Sequence, residues 1–349
     1  MNPYSYALAI TLLMGSGQAI GKQSWLDARP VPVDGAGQRF CDALAEVPLP
    51  AADQPTAAEA KALGSGCDSI ALYEGIGRPP DYRKARLCAY VERESGDKDT
   101  PEPFAGDGVL LMIYANGRGV RRNVPIAKQL ACRIWSAPAE LDSRQQHLDA
   151  IASGEAPADL DICDDVTSGM MEGLCAGQAA RVTDFERGRR LDKLSAGWSG
   201  DAKKAFGRLR QAEAAFSDSS SGNEEDMSGT ARNAMAEARA EKLDEEFEKS
   251  VVDFAAGKFA ASAGDAQADA KLNATYRRML AAFAGSEDKL MTIRPDGLRE
   301  TQRLWLRYRD AWLEFARVLK PGADTSPLLR ALTTQRTKQL EDVTEYASY

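Results

Sequence analysis

The segment ETQRLWLRYRDAWLEFA, residues 300–316, combines aromatic and charged side chains at helical spacing. At about 100° per residue, its large apolar side chains fall on one stripe: Leu304, Trp305, Tyr308, Trp312 and Phe315. Its charged side chains fall on the opposite side: Arg303, Arg307, Asp310 and Glu314. Because large aromatic residues are usually buried, the pattern predicts a core helix of an α-helical protein, with the charged face in solvent.

The composition argues against two classes of partner. The chain of 349 residues is long enough for two or three domains, each with its own core. It carries 44 lysine and arginine residues against 52 aspartate and glutamate residues, which gives a formal net charge of −8. This balance argues against nucleic acid and anionic membrane as partners, because both carry negative charge. It favours a protein partner with a basic surface.

The N-terminus has the pattern of an export signal. The first 21 residues contain no charged side chain, and the apolar run YALAITLLM at residues 6–14 is followed by small residues up to Ala19. This predicts a signal peptide over residues 1–21, although no lysine or arginine precedes the apolar run; the alternative is a buried N-terminal helix. The run is too short to span a bilayer, and no later segment is suitable either. We therefore expect a periplasmic or secreted mature protein.

The cysteines indicate disulfides. All six lie at or before residue 175: Cys41, Cys67, Cys88, Cys132, Cys163 and Cys175. An even number in an exported chain favours disulfides over metal binding, because no CxxC pair occurs and His147 is the only histidine. A single histidine also removes most serine–histidine and cysteine–histidine catalytic schemes. The sequence predicts no catalytic residue, no metal site and no cofactor.

Proline usage divides the chain into two halves. Thirteen of the 16 prolines precede residue 158, and the next one is Pro295. The second half is rich in residues that favour long helices, and no sustained alternation of β-branched residues occurs anywhere. The expected fold class is all-α, with short helical repeats followed by two antiparallel helical-bundle units. The segment SDSSSGNEED, residues 217–226, is interpreted as a polar loop between helices.

Two segments of the first half, residues 71–90 and 111–134, share a pattern of tyrosine, Gly-x-Gly, a basic residue and alanine. The matched positions are Tyr73, Gly75, Gly77 and Ala85, and then Tyr114, Gly117, Gly119 and Ala127. Glycine permits a tight turn, and alanine lets neighbouring helices approach closely. The segments resemble Sel-like repeats, which are short relatives of tetratricopeptide repeats. Their spacing of about 41 residues is typical of a helix-turn-helix repeat.

The same turn suggests a disulfide. It lies about midway between Cys67 and Cys88, so antiparallel helices would bring these cysteines together. The bond would close a loop of about 20 residues and stabilise the fold by ~3 kcal/mol. Cystine links between repeat helices are also familiar in exported members of the resembled family. The sequence does not pair the remaining four cysteines, Cys41, Cys132, Cys163 and Cys175.

Three segments near the C-terminus, residues 267–283, 297–316 and 327–341, together resemble the LprI-type lysozyme-inhibitor family. The signature residues that carry this resemblance are Leu272, Asn273, Tyr276, Gln302, Trp305, Tyr308, Arg309, Asp310, Thr333, Arg336 and Leu340. The resemblance implies a helical module that binds a lysozyme without chemistry of its own. The family usually carries cysteines that link its helices, and this segment contains none.

A fainter copy of the signature precedes these segments. Six residues of the first copy are Phe206, Leu209, Arg210, Gln211, Ala212 and Phe216, which match Trp305, Tyr308, Arg309, Asp310, Ala311 and Phe315 at a constant offset of 99. Arg239 and Leu243 match Arg336 and Leu340 at an offset of 97. This copy also retains Cys175, with Cys163 nearby, so the resemblance to a family with helix-linking cysteines makes these two further disulfide candidates. We therefore expect four parts: a signal peptide at 1–21, a Sel-like repeat domain at 35–158, a degenerate LprI-like domain at 160–249 and an LprI-like domain at 250–349.

We expect structural roles for the signature residues, whereas the residues that contact a partner are not identifiable. The aromatic stripe is expected to pack against Leu272, Tyr276, Leu280, Leu332 and Leu340. Arg309 and Asp310 lie off the stripe and are expected to pair with an adjoining helix, Arg336 being one candidate partner of Asp310. A glycosidase-like carboxylate pair is disfavoured, because the acids have ordinary helix-surface spacing.

The expected function is that of a periplasmic inhibitor or immunity-type protein, not an enzyme, which neutralises a lysozyme-like or other envelope-directed toxin. Two alternatives remain open. The chain could be a periplasmic scaffold built on helical repeats, or an envelope hydrolase with an unrecognised site.

Overall fold

A computed structural model describes residues 35–96, 102–258, 267–284 and 292–346. These residues form thirteen α-helices, a short 3-10 helix at Ala51–Asp53 and no β-strand, so the all-α prediction is confirmed. The predicted signal peptide at residues 1–21 lies outside the described residues. Among the described helices, none combines the length and the apolar character that a membrane span requires.

Seven helices precede residue 154. They are α1 (Gly35–Leu44), α2 (Ala57–Leu63), α3 (Ser69–Glu74), α4 (Tyr82–Ser95), α5 (Asp107–Asn116), α6 (Val124–Ala131) and α7 (Pro138–Ser153). Six further helices follow, and all but α11 are longer than any of the first seven. They are α8 (Gly169–Ser195), α9 (Gly200–Asn223), α10 (Arg232–Ala255), α11 (Ala268–Ala282), α12 (Pro295–Leu319) and α13 (Ser326–Tyr346).

The two glycine-containing segments fold as similar helix pairs, α3 with α4 and α5 with α6. Gly75 ends α3 and Gly117 ends α5, both in the left-handed conformation that glycine adopts without strain. After each turn, the side chain of Asp81 or Asn123 caps the next helix by accepting a backbone hydrogen bond. The local geometry of the two turns therefore repeats at an offset of 42 residues.

This geometry corrects one detail of the sequence alignment. The backbone N–H of Asp81 donates to the carbonyl of Leu72, and that of Asn123 donates to the carbonyl of Tyr114, each at 2.9 Å. Tyr114 is therefore the counterpart of Leu72. Tyr73 and Tyr114, which the sequence pattern aligned, are one residue out of register, because the glycines and caps determine the register.

All six cysteines are paired in disulfides, as Cys41–Cys132, Cys67–Cys88 and Cys163–Cys175. The second pair is the one that the position of the turn suggested, and the third joins the two remaining candidates. The first pair, which the sequence left open, connects α1 to the end of α6 across 91 residues. Only the first bond therefore links distant parts of the chain, because the other two join cysteines 21 and 12 residues apart.

The buried apolar residues form two clusters, one extending from Cys41 to Met171 and the other from Leu191 to Val343. Helix α8 contributes to both, because Met171 near its start belongs to the first cluster and Leu191 near its end belongs to the second. A continuous helix of 27 residues, about 40 Å long, therefore connects the two halves. The division of the chain into domains at residues 158–160 stays a prediction.

The six long helices pack in a regular order. Helix α8 packs along α10, α11 along α13 and α9 along α12. Helices α9 and α12 are antiparallel, because Arg208 pairs with Glu314 at one end and Ser219 contacts Thr301 at the other. Helices α8 to α10 form one set of three and α11 to α13 form a second. In each set the first helix lies beside the third, and the two middle helices, α9 and α12, lie beside each other.

The aromatic stripe of α12 is core, as predicted. Trp305 is 2% exposed, and Trp312 and Phe315 are fully buried. Leu272 and Leu340, which were expected to contact the stripe, belong to the same apolar cluster. The stripe therefore contributes to the single core that all six long helices share.

The aromatic partners of the stripe come from α9 and α10, which the sequence analysis did not anticipate. Tyr308 stacks on Phe216 of α9, with ring centroids 5.6 Å apart. Trp312 meets Phe247 and Phe254 of α10 at 6.0 and 6.1 Å. These aromatic contacts therefore join α12 to helices α9 and α10, which precede it in the chain.

The predicted polar loop at 217–226 is wrong in its first part. Helix α9 continues through the serines to Asn223, and only the residues after it form a connection. Ser217 and Ser220 are buried within the helix, so small side chains here allow close packing rather than mark a loop.

We expect Trp312→Ala to lower the free energy of unfolding by ~3–5 kcal/mol, because it removes a fully buried ring from a close-packed aromatic core. Arg307→Ala on the exposed side of the same helix is the matched control, with a change within about 0.5 kcal/mol. Denaturant titration of both variants measures the difference. Equal stabilities for the two variants would show that the stripe does not form this core.

Candidate protein-binding site

A buried ion cluster connects the helices around the signature residues. Glu224, directly after α9, has no exposed surface. Its carboxylate accepts hydrogen bonds from Arg336 of α13 at 2.9 Å and from Arg239 of α10 at 3.0 Å. The hydroxyl of Ser220 donates to the same carboxylate at 2.7 Å. Two arginines from different helices therefore share one buried acceptor.

The two arginines keep Glu224 ionised. Burial by itself raises the pKa of this carboxyl, but the charges and hydrogen bonds of Arg336, Arg239 and Ser220 outweigh it and lower the pKa below the ordinary value of 4.5. Glu225, also buried, lies 3.9 Å from Arg239 and adds a second negative charge. The cluster thus contains two arginines and two carboxylates.

The cluster also fixes α12 through a signature residue. The Nε of Arg336 donates to the side-chain oxygen of Gln302 at 3.0 Å. The expected pair between Asp310 and Arg336 is therefore wrong, because Arg336 is buried in the core and donates its hydrogen bonds to Glu224 and Gln302. Asp310 is exposed and pairs at 2.8 Å with its neighbour Arg309.

An open groove of about 470 Å³ lies between α11 and α12. Six signature residues line it: Leu272, Asn273, Tyr276, Gln302, Trp305 and Arg309. Leucine and tryptophan form its base, since both are buried, whereas the asparagine is exposed at the rim. The resemblance to the inhibitor family therefore coincides with a concave surface and not only with the core.

The groove is basic. Arg299, Arg303 and Arg309 line it together with a single acid, Asp269. The guanidinium of Arg309 lies 5.7 Å from the centre of the Trp305 ring, which holds the charge at the edge of the groove. Arg303 is exposed and has no ion-pair partner among the residues that the structure describes. It is therefore free to meet a negative group on a partner.

An exposed apolar side chain adjoins these charges. Leu306 lines the same groove and is 37% exposed, one of few large apolar side chains at the surface of the described chain. An apolar contact flanked by arginines is a common arrangement at the centre of protein interfaces.

The remaining signature residues are structural. Tyr308 and Leu340 lie in the apolar core. Thr333 is buried, and its hydroxyl donates to the carbonyl of Leu329 at 2.8 Å within α13. The structure thus separates the signature into groove residues, core residues and the ionic residue Arg336, with Asp310 alone on the outer surface.

The charge of the second half is unevenly distributed along the chain. Residues 160–249 carry 19 acidic and 13 basic side chains, whereas residues 250–349 carry 13 acidic and 15 basic ones. The acidic surplus therefore belongs to the part of the chain that contains α8 to α10, and the arginine-lined groove belongs to the other part. Net charge alone did not reveal this separation.

Sequence reasoning missed Glu224, which it placed in a polar loop. A signal for a buried anion was nevertheless present. Arg239 and Arg336 each precede a core leucine by four residues, Leu243 and Leu340, so each arginine lies on the apolar side of its helix. Two arginines at core positions require a buried acceptor.

We expect Glu224→Gln to lower the free energy of unfolding by ~3–5 kcal/mol at neutral pH, because two buried arginines lose their shared carboxylate. Glu300→Gln, at an exposed position on α12, should change it by less than about 0.5 kcal/mol. Because the folded pKa of Glu224 is lowered, its stabilisation is present above the unfolded value of 4.5 and is lost as pH falls below it. Chemical denaturation between pH 3 and pH 7 measures both effects. A variant with wild-type stability at pH 7 would contradict the role of the cluster.

Comparison with known proteins places the groove within a recognised family segment. Residues 255–340 match the family described as lysozyme inhibitor LprI. An uncharacterised protein of Rhizobium meliloti (strain 1021) is 34% identical over 91 residues, in a match that spans 23% of this chain and 66% of that relative, just under two thirds of its length. No solved structure matches the chain. The segment that contains α11, α12 and most of α13 therefore matches the lysozyme inhibitor LprI family.

Proposed function

We propose that this protein is an inhibitor, of the immunity type, that binds a lysozyme-like enzyme through the groove between α11 and α12. The observation that carries the proposal is the coincidence of the inhibitor-family segment with an open, arginine-lined groove built from six of its signature residues. In this proposal the protein blocks the enzyme by occupying it and consumes nothing.

The chemistry of the groove favours an acidic segment of the enzyme as the inserted element. Lysozyme-type glycosidases use a pair of carboxyl groups beside the scissile bond, and an arginine near such a cleft would pair with them. Arg303 supplies an uncommitted guanidinium, and Leu306 supplies apolar contact area beside it. Docking at the groove would cover the cleft and exclude substrate.

A basic overall charge on the partner remains part of the proposal. The acidic surplus of residues 160–249 would attract such a partner over a distance, while the groove makes the close contact. Long-range attraction acts mainly on the association rate, because it operates before the surfaces meet.

Export is also proposed. It is supported by the uncharged N-terminal segment of residues 1–21 and by three disulfides among the described residues, since disulfides persist in oxidising compartments. We infer a periplasmic or secreted location.

We further infer that α8 to α10 are a degenerate copy of α11 to α13. The support is the constant offset of 99 residues between α9 and α12 and the equivalent pairing of α8 with α10 and of α11 with α13. The Sel-like assignment of the first half has similar support from its two helix pairs with matching glycine turns. These paired helices also favour the second candidate function, a scaffold that binds envelope proteins through the first half.

The test of inhibition is a panel of lysozymes and secreted envelope hydrolases assayed for peptidoglycan cleavage with and without the purified protein. Arg303→Glu and Leu306→Asp should each weaken inhibition about ten-fold or more, because they reverse or remove a groove contact. Arg317→Glu, 14 residues further along α12 and also exposed, is the matched control and should inhibit normally. Normal inhibition by both groove variants would refute the assigned site. If no enzyme of the panel is inhibited by the wild-type protein, the scaffold function is favoured.

Electrostatic attraction predicts a specific salt dependence for any complex found in this way. The association rate should fall as salt rises from low to physiological concentration, where the screening length shrinks to about 8 Å, while dissociation changes less. Stopped-flow or surface-based kinetics at several salt concentrations measure both rates. An association rate that does not change with salt would argue against charge steering.

Export has its own measurement. The intact mass of the protein purified from its native host should correspond to a chain that begins near Ile20 or Lys22, with six cysteines resistant to alkylation before reduction. A full-length chain with six reactive thiols would overturn the assigned location.

A further inference from the structure

A second cavity, of about 410 Å³, lies between α8, α9 and α10, outside the inhibitor-family segment. Its walls carry the carboxyl groups of Asp184, Glu213, Asp218, Glu237 and Asp244. Leu191 and Phe247 contribute large apolar side chains, and two arginines and small residues complete the lining. The cavity thus combines negative charge with an apolar wall.

The cations nearby do not balance these acids. Arg187 contacts Asp244 at 3.2 Å and Glu241 at 2.6 Å, and it also pairs with Asp184. Arg210, the other arginine of the lining, pairs at 3.1 Å with Asp192, which lies outside the cavity. Within the described ranges, Glu213, Asp218 and Glu237 form no ion pair with a basic side chain, although the charge of Arg187 acts to lower the pKa of Glu213. A net negative charge therefore faces the empty volume.

Glu213 is the most unusual of these groups. It is only 8% exposed and shares a hydrogen bond with Asp244, while its Oε1 atom receives no hydrogen bond from a donor in the part of the chain that the structure describes. Burial and the neighbouring Asp244 raise the pKa of its carboxyl to about 9. A buried acceptor without a partner destabilises the fold, so its presence beside a cavity points to a ligand that supplies the missing donor.

We propose that this cavity binds a primary alkylammonium group, with the ammonium at Glu213 and the alkyl chain against Leu191 and Phe247. An ammonium carries three donors, and the cavity lining offers the carboxylates of Glu213 and Asp244 and the hydroxyl of Ser217 as acceptors. The ligand is either a free diamine or the lysine side chain of a protein.

The structure favours an amine over a metal ion. The three carboxylates of Asp184, Glu241 and Asp244 lie close enough together to ligate an ion, but the guanidinium of Arg187 already lies among them. A positive group in that position repels a divalent ion. The apolar wall, in contrast, would contact the alkyl part of an amine.

Proton release provides a direct signature of the bound state. Glu213 is neutral in the free protein at pH 7, because its pKa is raised, and an ammonium beside it should make it ionise. The titratable and charged groups around it on α8, α10 and α12 are Asp184, Arg187, Glu237, Asp244, Glu246 and Tyr308. Binding of the amine at neutral pH should therefore release a proton.

The experiment is isothermal titration calorimetry of the full chain at pH 7 with cadaverine and, separately, with Nα-acetyl-lysine methylamide. Measurements in buffers of different ionisation enthalpy count the protons released. We expect binding with proton release in the wild type and an affinity at least about ten-fold lower in Glu213→Gln. Glu245→Gln, an exposed acid on α10, is the matched control and should bind as the wild type does.

The Glu213→Gln variant should remain folded. Its melting temperature at pH 7 should rise, because the amide removes a carboxyl whose raised pKa makes the folded state less stable as pH increases from 4.5 towards 9. Lost binding together with a higher melting temperature therefore supports the site. Lost binding together with unfolding of this variant would contradict the proposal, because it would mean that Glu213 stabilises the free protein.

The arms of the experiment also separate the sources of the ligand. Binding of cadaverine alone indicates a free diamine, whereas binding of the lysine derivative as well indicates the side chain of a protein. The proposal is overturned if neither amine binds, if Glu213→Gln binds equally well, or if calcium, magnesium or tetramethylammonium binds while primary amines do not. None of these outcomes depends on lysozyme inhibition, because the cavity lies outside the groove.

Discussion

The six long helices depend on one buried carboxylate. Glu224 accepts from an arginine of α10 and an arginine of α13, and the latter also holds Gln302 of α12. Separating the two sets of helices would leave charged groups inside an apolar core without a partner, at a high energetic cost. Hydrophobic contacts permit several relative positions of packed helices, whereas the directional bonds at Glu224 select one. The ion cluster thus fixes the geometry on which the groove depends.

The shared aromatic core explains why the inhibitor-family segment is incomplete by itself. The stripe of α12 packs on Phe216, Phe247 and Phe254, all of which precede residue 255. Because α12 faces α9, its other side is left open towards α11, and this opening is the groove. Helices α8 to α10 therefore bury one side of α12 and leave its groove-lining side exposed.

Charge is separated along the second half of this molecule. The groove between α11 and α12 presents three arginines, and the cavity between α8, α9 and α10 presents five carboxyl groups. Surfaces of opposite sign on one core favour different ligands, since each repels the charge that the other attracts. A net charge of −8 conceals this division, because it sums the acidic and the basic regions. The two proposed sites are accordingly distinct in chemistry and can be tested separately.

The features that depend on short windows of sequence were predictable without a structure. The stripe of Trp305 to Phe315 specified a core helix, the turn between Cys67 and Cys88 suggested their disulfide, and three segments in order indicated the inhibitor family. Helical periodicity and turn chemistry are local, so each can be recognised without knowing the rest of the chain.

Which helix surfaces contact each other became known from the folded structure. It paired Cys41 with Cys132, covered the stripe of α12 with α9 and α10, and buried Glu224 between two arginines. These outcomes join residues far apart in the sequence. An amphipathic pattern states that a helix face is buried but not against which partner, because apolar attraction has no direction. The choice depends on the combined fit of shapes and charges of all six helices, which no single segment contains.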